Sequence, residues 1–578
     1  MKTIKYIFFL LVLGITACDN FLNVAPDVNL NEDKVFTNFV NAQAFQADIY
    51  SGLTQRFNAI GSYLPVPMSS ASDESESNAG YFGTKPFNMG NYDGVDANIS
   101  FYYTAIRKAN LFLKNANRIP YPDALTRQKM VGEVYFLRAF YFNEMLKRFG
   151  GMPILTEKDG LFVPGDNLMR PRNTYRECFA FIMDDLKMAI DSLPVTLNTN
   201  DYGRATKGAA MALKARVLLY AASPLFSKPS GIWGMGGTVD DWYEKDGKTW
   251  WLKAAEAAKA VIDLKDANGT PVYALYQTGA ANKADDYQNL FFKRREQGNN
   301  EIIFYKHEAP VGFGDPQINV WMPNGDFGGS GAVEPTNNFV KLFEMSNGKY
   351  IDEPGSGYDP ANPYINRDPR FYKTIIYQGC TWQGAKVDMS TTTTQFPAGT
   401  FLTGYFVRKY LPEEVKKNTT TTSYHNWIYF RLAEMYLDYA EALNEVYGPD
   451  NNGGLGLTAR QAVNTVRSRS GVVDLPVDLT SDKPSMRIRI QRERAIELSF
   501  EEQRWWDARR WSTGDQGELA SKWFGCPFYR VTITKTGNNV SYNEDTYFTR
   551  IYQPHNNLYE IPTGEMYKNP LFVQNPGY

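Results

Sequence analysis

Three glutamates near the C-terminus recur at four-residue intervals, and their carboxylates are the groups best placed for acid–base chemistry. Glu493, Glu497 and Glu501 would share one helix face, because residues four apart are neighbours on a helix. Glycosidases instead hold two carboxylates on different elements, roughly 5–10 Å apart across the substrate. Nearby arginines stand at positions 489, 492, 494 and 504. We therefore interpret the row as a ladder of ion pairs, and expect arginines of neighbouring helices, such as Arg467 or Arg431, to face it.

Other catalytic signatures are missing from the sequence. It contains no Gly-x-Ser-x-Gly elbow, no phosphate-binding loop and no His-Glu-x-x-His. The histidines are few and far apart: His307, His425 and His555. Besides Cys18, the cysteines are Cys178, Cys380 and Cys526. This set argues against a His/Cys metal site and against a disulfide framework, although one disulfide pair stays open. The sequence thus predicts a protein that is not an enzyme and that has no metal and no cofactor.

Aromatic residues are the most unusual part of the composition. The chain has 37 Tyr, 36 Phe and 11 Trp, which together make 15% of its residues. Much of this must be core, but aromatic rings also stack on the apolar faces of sugars, so the excess fits a glycan-binding protein. The formal net charge of -2 gives no electrostatic reason to expect nucleic acid or an anionic membrane surface as a partner.

The N-terminus has the pattern of a bacterial lipoprotein signal. Lys2 and Lys5 precede an apolar run over residues 6–17, which is shorter than the ~20 residues of a membrane-spanning helix. The run ends in small residues directly before Cys18, as signal peptidase requires for a lipid-modified cysteine. The alternative is an ordinary secretory signal with an incidental cysteine. We predict a signal peptide over residues 1–17, lipid on Cys18, and attachment through several acyl chains, since one chain anchors only marginally.

Alanine-rich segments with helical periodicity recur along the chain in pairs. The first members of the pairs cover residues 132–148, 206–222 and 430–447. Each is followed by a second helical stretch, over residues 175–192, 250–264 and 458–470. Paired helices that recur in this way indicate tetratricopeptide-like repeats, interrupted here by long insertions.

The segments between the helices are irregular. Residues 60–100 and 265–427 are rich in Gly, Pro, Asn, Ser and Thr, with strand-like runs at 301–305 and, further on, at 531–534. Two threonine tracts, over residues 390–394 and 419–422, are predicted on loops. The predicted fold is therefore mainly α: a tetratricopeptide-like helical scaffold with a large loop-rich, short-strand insertion. One domain is expected over residues 18–578, with scaffold at roughly 30–264 and 428–511 and variable regions at 60–100 and 265–427.

Motifs in a fixed order link the chain to a known family. They are Cys18 to Leu22 with Pro26, then the segments LRAFYF at 137–142, RFGGMP at 148–153, DPRF at 368–371, FRLAE at 430–434, AVNTVR at 462–467, RERAIEL at 492–498, QRWWD at 503–507 and QNPGY at 574–578. On these, nearly end to end, the chain resembles the SusD/RagB family of outer-membrane nutrient-binding lipoproteins of Bacteroidetes. One departure is Glu501-Glu502, where many members have Glu-Gly; we interpret it as harmless on an exposed helix face.

The resemblance implies a fold and a function. The family fold has four tetratricopeptide-like units that support a more variable region. Its members bind glycans, or sometimes peptides, at the cell surface, where they form a lid on a SusC-like TonB-dependent barrel and pass it their ligand. We expect an oligosaccharide ligand and an outward-facing, lipid-anchored position on the outer membrane. Two alternatives are a binder of peptide or glycopeptide nutrients and a helical-repeat adaptor that binds only another protein.

The resemblance places the ligand site in the region after the first helix and in the middle insertion. Polar and aromatic candidates in the first region are Asp73, Glu74, Tyr81, Phe82, Asn91 and Tyr92. In the second region they are Trp321 and His307. Each aromatic could instead pack in the core, and Asp73 could be a helix cap or a solvated loop acid. Trp321 is expected on an exposed loop, because residues 310–331 are full of Gly, Pro and Asn.

Overall fold

The structure is a computed structural model, and it describes most of the chain. The described residues are 31–53, 57, 67–78, 84–91, 99–159, 169–228, 231–236, 247–397, 399–512 and 520–578. The predicted signal peptide and the candidates Cys18, Tyr81, Phe82 and Tyr92 lie outside these residues.

Eleven of the described helices are used below and are numbered in chain order. They are α1 (Glu32–Phe36), α2 (Phe39–Tyr50), α3 (Ile99–Asn115), α4 (Ala124–Phe149), α5 (Tyr175–Ser192), α6 (Lys207–Ala222), α7 (Trp250–Ile262), α8 (Leu432–Tyr447), α9 (Ala459–Arg469), α10 (Lys483–Glu497) and α11 (Gln503–Arg510). Shorter helical segments are Thr84–Asn88, Pro224–Ser227, Ala284–Asn289, Pro316–Asn319, Asn337–Val340, Phe371–Thr374, Ala520–Phe524 and Thr563–Lys568. All six helical segments predicted from periodicity are present.

Side-chain caps explain why several of these helices begin where they do. Thr174 accepts a hydrogen bond from the backbone N–H of Glu177, whose side chain bonds back to the N-cap, so α5 starts with a capping box. Thr458 forms the same arrangement at α9, and Thr206 and Thr249 cap α6 and α7. These hydroxyls satisfy N–H groups that the first helical turn leaves without a partner.

The long helices pack on one another along the chain. Helix α4 lies against α3 and α5, α7 lies between α6 and α8, and α8 also packs against α9 and α10. Small side chains allow the close approach: Ala209, Ala212 and Ala215 of α6 are completely buried. The scaffold is thus the predicted helical, tetratricopeptide-like architecture.

The described strands form only two-stranded antiparallel sheets, and all of them except β11 and β12 have five residues or fewer. They are β1 (Ser75–Glu76), β2 (Ile302–Lys306), β3 (Val311–Gly312), β4 (Glu334–Pro335), β5 (Ile375–Ile376), β6 (Thr381–Trp382), β7 (Ala385–Lys386), β8 (Phe406–Val407), β9 (Thr422–Ser423), β10 (Trp427–Arg431), β11 (Pro527–Thr536) and β12 (Asn539–Thr549). The pairs are β1–β4, β2–β10, β3–β9, β5–β8, β6–β7 and β11–β12. Both predicted strands are confirmed, the first in β2 and the second in the β11–β12 hairpin.

Two further observations concern the helices and the cysteines. Within the part of the chain that the structure describes, no helix is both long and apolar enough to cross a bilayer. The cysteines Cys178, Cys380 and Cys526 are free thiols, so the disulfide that the sequence left open is not formed among them.

Candidate functional site

The glutamate row is a buried structural cluster. Glu497 accepts hydrogen bonds from Arg431 at 2.7 Å and from Arg370 at 3.0 Å, and it also pairs with Arg469. All four side chains are almost completely buried. Burial raises the pKa of Glu497, but the three guanidinium groups outweigh it and hold that pKa well below its usual range. The cluster ties α9 and α10 to β10, and it leaves no carboxylate open to a substrate.

The two arginines expected to face the row do so. Arg467 lies 2.9 Å from Glu493, and Arg431 lies 2.7 Å from both Glu497 and Glu501. The two arginine partners predicted from the spacing are therefore confirmed, but Glu501 does not lie on the same helix as Glu493 and Glu497. Helix α10 ends at Glu497, so Glu501 lies in the turn that follows it.

The expectation that Glu501 and Glu502 lie on an exposed helix face is wrong. Both residues are buried, with exposed fractions of 7% and 8%. Glu502 is the N-cap of α11 with φ of 61°, in the left-handed region that favours glycine. A glycine at this position would adopt the turn without strain. Here the chain holds a glutamate in that conformation.

The structure places Asp73 and Glu74 in the interior. Asp73 accepts hydrogen bonds from Arg504 at 2.8 and 2.7 Å, and only 3% of it is exposed. Glu74 is completely buried and accepts a hydrogen bond from the backbone N–H of Phe500 at 2.7 Å. Burial raises the pKa of Glu74 to about 8. Neither carboxylate presents a surface to solvent, so their geometry supports the fold.

Trp321 is also a core residue. Its side chain is completely buried, with its ring edge-on to Phe57, Tyr410 and Phe500 at centroid distances of 6.1, 5.5 and 6.1 Å. The expected exposed loop is not found: the short helix Pro316–Asn319 precedes Trp321, and residues 320–324 are buried. Phe500 contacts both Trp321 and Glu74, so these three residues form one cluster inside the core.

The remaining described candidates are exposed but lie apart from that cluster. His307 follows β2 and lies 3.2 Å from Arg294 and 3.4 Å from Glu296. Asn91 follows the short helix Thr84–Asn88 and is exposed. Both residues remain accessible to a ligand, and their assignment to the site stays a prediction.

Sequence reasoning missed a cleft whose lining includes four tyrosines, which we name the tyrosine cleft. It has a volume of about 250 Å³. Its lining residues are Asn337, Val340, Lys341, Tyr358, Pro360, Pro363, Tyr364, Arg367, Tyr405, Val531, Tyr542 and Glu544. The one sequence signal was the loop YDPANPY at 358–364, which combines two tyrosines with two prolines. The β11–β12 hairpin, distant in sequence, closes the other side.

Hydrogen bonds fix the floor of the tyrosine cleft. The Tyr364 hydroxyl donates to the Tyr405 hydroxyl at 3.3 Å, and that hydroxyl donates to Asn337 Oδ1 at 3.0 Å. Burial raises the pKa of both tyrosines, so their hydroxyls are neutral at physiological pH. Tyr358 and Tyr542 are only partly buried, and the ring of Tyr542 meets Tyr364 edge-on at 5.3 Å. The cleft therefore offers ring surface next to fixed polar groups.

Charged groups sit at the wall and the rim of the cleft. Arg367 is buried and donates to the backbone carbonyls of Pro363, Val340 and Phe343. Its Nε has no hydrogen-bond partner among the described residues. At the rim Lys341 pairs with Glu544 at 2.5 Å, so the two charges balance. In the described ranges, no group of three or more His, Cys, Asp or Glu side chains is arranged to hold a metal ion.

Comparison with known proteins finds SusD-type similarity in both the N-terminal and the C-terminal part of the chain. The model of the SusD family matches residues 296–578. A second model, described as starch-binding associating with outer membrane, matches residues 20–219. The SusD-like protein P38 of Formosa agariphila is 24% identical, over 88% of this chain and 91% of its own length.

Two solved structures from Bacteroides fragilis have the same fold. A SusD-like protein superposes with a TM-score of 0.74 at 26% identity, covering 94% of this chain and 98% of its own. A SusD-like carbohydrate binding protein superposes with a TM-score of 0.70 at 22% identity, covering 92% and 98%.

Proposed function

We propose, from the premise that this chain belongs to the SusD family, that it captures oligosaccharide at the bacterial outer membrane. The observation that carries the proposal is the tyrosine cleft on a scaffold of this family. The second matching family model is described as starch-binding, and one structural relative is titled a carbohydrate binding protein. Both descriptions are consistent with a glycan ligand.

The chemistry of the tyrosine cleft suits a sugar. A sugar ring has an apolar face of C–H groups and a rim of hydroxyls, so it needs an aromatic surface and short polar groups side by side. Tyr358 and Tyr542 supply partly exposed rings, and Asn337 and Arg367 supply fixed polar groups. Because the hydrogen bonds of the cleft exist without a ligand, binding need not reorganise its floor.

We further propose that the protein binds without cleaving and delivers its ligand to a SusC-like TonB-dependent barrel. Lipid on Cys18 would hold it at the outer membrane, facing outward, where it could form the lid of such a barrel. Weak capture, on the order of micromolar to millimolar, suits a protein that must release its ligand to a transporter.

The site residues are reassigned accordingly. Tyr81, Phe82, Asn91, Tyr92 and His307 stay candidates for further ligand contacts. The buried residues Asp73, Glu74 and Trp321 are proposed to support the fold.

Calorimetry against a panel of oligosaccharides tests this proposal. We expect Tyr358→Ala and Tyr542→Ala each to weaken binding about tenfold through lost stacking, which corresponds to 1.4 kcal/mol. Tyr567→Ala is the matched control, because Tyr567 is 84% exposed and does not line the cleft. Unchanged affinity in both cleft variants would place the site elsewhere, and shortened glycans recovered after incubation would show that the protein is an enzyme.

A further inference from the structure

A second cleft lies next to the tyrosine cleft, and one threonine tract lines it; we name it the threonine cleft. Its volume is about 350 Å³. Its lining residues are Met389, Ser390, Thr391, Thr393, Phe396, Gly399, Phe401, Leu402, Gly404, Arg530, Val531, Thr532 and Ile533. The tract was expected only on a loop, and here it forms one wall of a cavity.

A narrow ridge of backbone separates the two clefts. Val531 of β11 lines both, and its N–H donates to the carbonyl of Thr403 at 2.9 Å. Gly404 crosses β11 so closely that a Cβ there would lie 2.4 Å from the Val531 carbonyl oxygen, and its φ of 88° also favours glycine. Glycine at position 404 therefore lets this segment pack directly against β11, at the place where Val531 lines both clefts.

The walls of the threonine cleft are held in place. The backbone N–H of Thr391 donates to the carbonyl of Ile533 at 2.8 Å, which fixes the tract on β11. On the opposite wall, the buried carboxyl group of Glu334 accepts hydrogen bonds from the N–H groups of Leu402 at 2.6 Å and Thr403 at 2.9 Å. Both walls are thus preformed.

The lining combines an aromatic surface with short hydroxyl side chains. Phe401 is partly buried, and its ring packs edge-on against Phe396 at 5.5 Å. Thr391 is exposed, and Thr393 and Thr532 are partly exposed. This is the pairing of ring and hydroxyls that a sugar requires, repeated on the other side of the ridge.

We propose that the threonine cleft is a second sugar subsite beside the tyrosine cleft and that one oligosaccharide chain occupies both clefts. This inference rests on the proposed glycan-binding function and narrows it to chains of several sugar units. The tyrosine cleft alone is smaller than the lower end of ligand-site volumes, about 300 Å³, and the threonine cleft alone is only slightly larger than that limit, whereas the two together fall well inside the range.

Calorimetry on the purified full-length chain tests the inference, with malto-, laminari- and xylo-oligosaccharide ladders from disaccharide to octasaccharide. We expect affinity to rise with length until both clefts are filled. Phe401→Ala should weaken binding of the longest bound chain about tenfold and leave that of the shortest unchanged. Thr391→Trp, which fills the threonine cleft, should do the same. Thr394→Trp is the matched control, since Thr394 is exposed and outside the lining.

The outcomes separate this inference from the proposed function. If the unaltered chain binds no oligosaccharide, the glycan-binding proposal fails and the second subsite fails with it. If the chain binds oligosaccharides but affinity does not depend on length, or the two threonine-cleft variants bind long chains like the unaltered protein, only the second subsite is overturned. Melting temperatures of the variants, compared with that of Thr394→Trp, confirm that each one folds.

Discussion

Arg504 holds Asp73 through two parallel hydrogen bonds, of 2.8 and 2.7 Å, between residues 431 positions apart in the chain. Both side chains are buried. Arginine and carboxylate match in this bidentate geometry, which makes the pair stronger and more directional than a single ion pair. It fastens the segment after α2 to α11, and so joins the N-terminal and C-terminal parts of the scaffold.

Removing the Asp73 carboxylate should therefore destabilise the protein. We expect Asp73→Ala to lower the free energy of unfolding by roughly 3–5 kcal/mol, because a buried guanidinium loses its counter-charge. Urea denaturation measures the change. Asp191→Ala is the control, since Asp191 lies on the surface, where solvent screens its ion pair with Lys187, and its loss should change stability little. Unaltered stability with lost ligand binding would return Asp73 to the ligand site.

Trp321→Ala should act on the core as well. Deleting a completely buried aromatic costs roughly 3–5 kcal/mol, because contacts are lost and a cavity remains. We expect a lower melting temperature, with ligand affinity per folded molecule little changed. Thermal melts followed by calorimetry well below the transition separate the two effects. A variant that melts like the unaltered protein but binds at least tenfold more weakly would contradict the core assignment.

Glu497→Gln should destabilise the fold in a pH-dependent way. The pKa of Glu497 is depressed in the folded state, so its carboxylate contributes stability above its unfolded pKa of 4.5. That contribution is lost as pH falls below 4.5 and through the folded pKa. We expect the variant to lose roughly 3 kcal/mol of its free energy of unfolding at neutral pH. This difference from the unaltered protein should become smaller as the pH falls. Urea titrations across pH measure it, with the more exposed Glu565→Gln as control; a difference independent of pH would refute this account.

Glu334 should give the opposite pH dependence. Burial raises its pKa to about 8, so the protonated carboxyl group stabilises the folded state. This contribution is complete below the unfolded pKa of 4.5 and is lost as the pH rises through 8. We expect Glu334→Gln to flatten the stability profile across this window, by up to about 1.4 kcal/mol for each pH unit. Denaturation midpoints measured across the window test this, and parallel profiles for variant and unaltered protein would disprove it.

Cys18→Ala should abolish lipid attachment. Without the thiol no acyl chain can be added, so the precursor should stay uncleaved or appear in the soluble fraction. Labelling with radioactive palmitate and fractionation of membranes measure the result. Labelled Cys18→Ala protein in the outer-membrane fraction would show that the anchor lies elsewhere.

The helices could be read from the sequence because their signals are local. Residues 175–192 were predicted helical, and α5 covers Tyr175–Ser192. The threonine and glutamate of its capping box are three residues apart, and the apolar spacing lies within the same segment. The spacing of Glu493 and Glu497 also predicted that arginines would face these carboxylates, and Arg467 and Arg431 do so.

Burial and cavities depended instead on contacts between distant segments. Trp321 lies in a stretch with the composition of an exposed loop, yet tertiary packing encloses it. Glu502 has the residue type of a helix surface, but the turn between α10 and α11 buries it in a left-handed conformation. The tyrosine cleft joins residues from Asn337 to Glu544, so no sequence window contains it. Periodicity shows which face of an element is apolar. Long-range packing decides which loops cover that face.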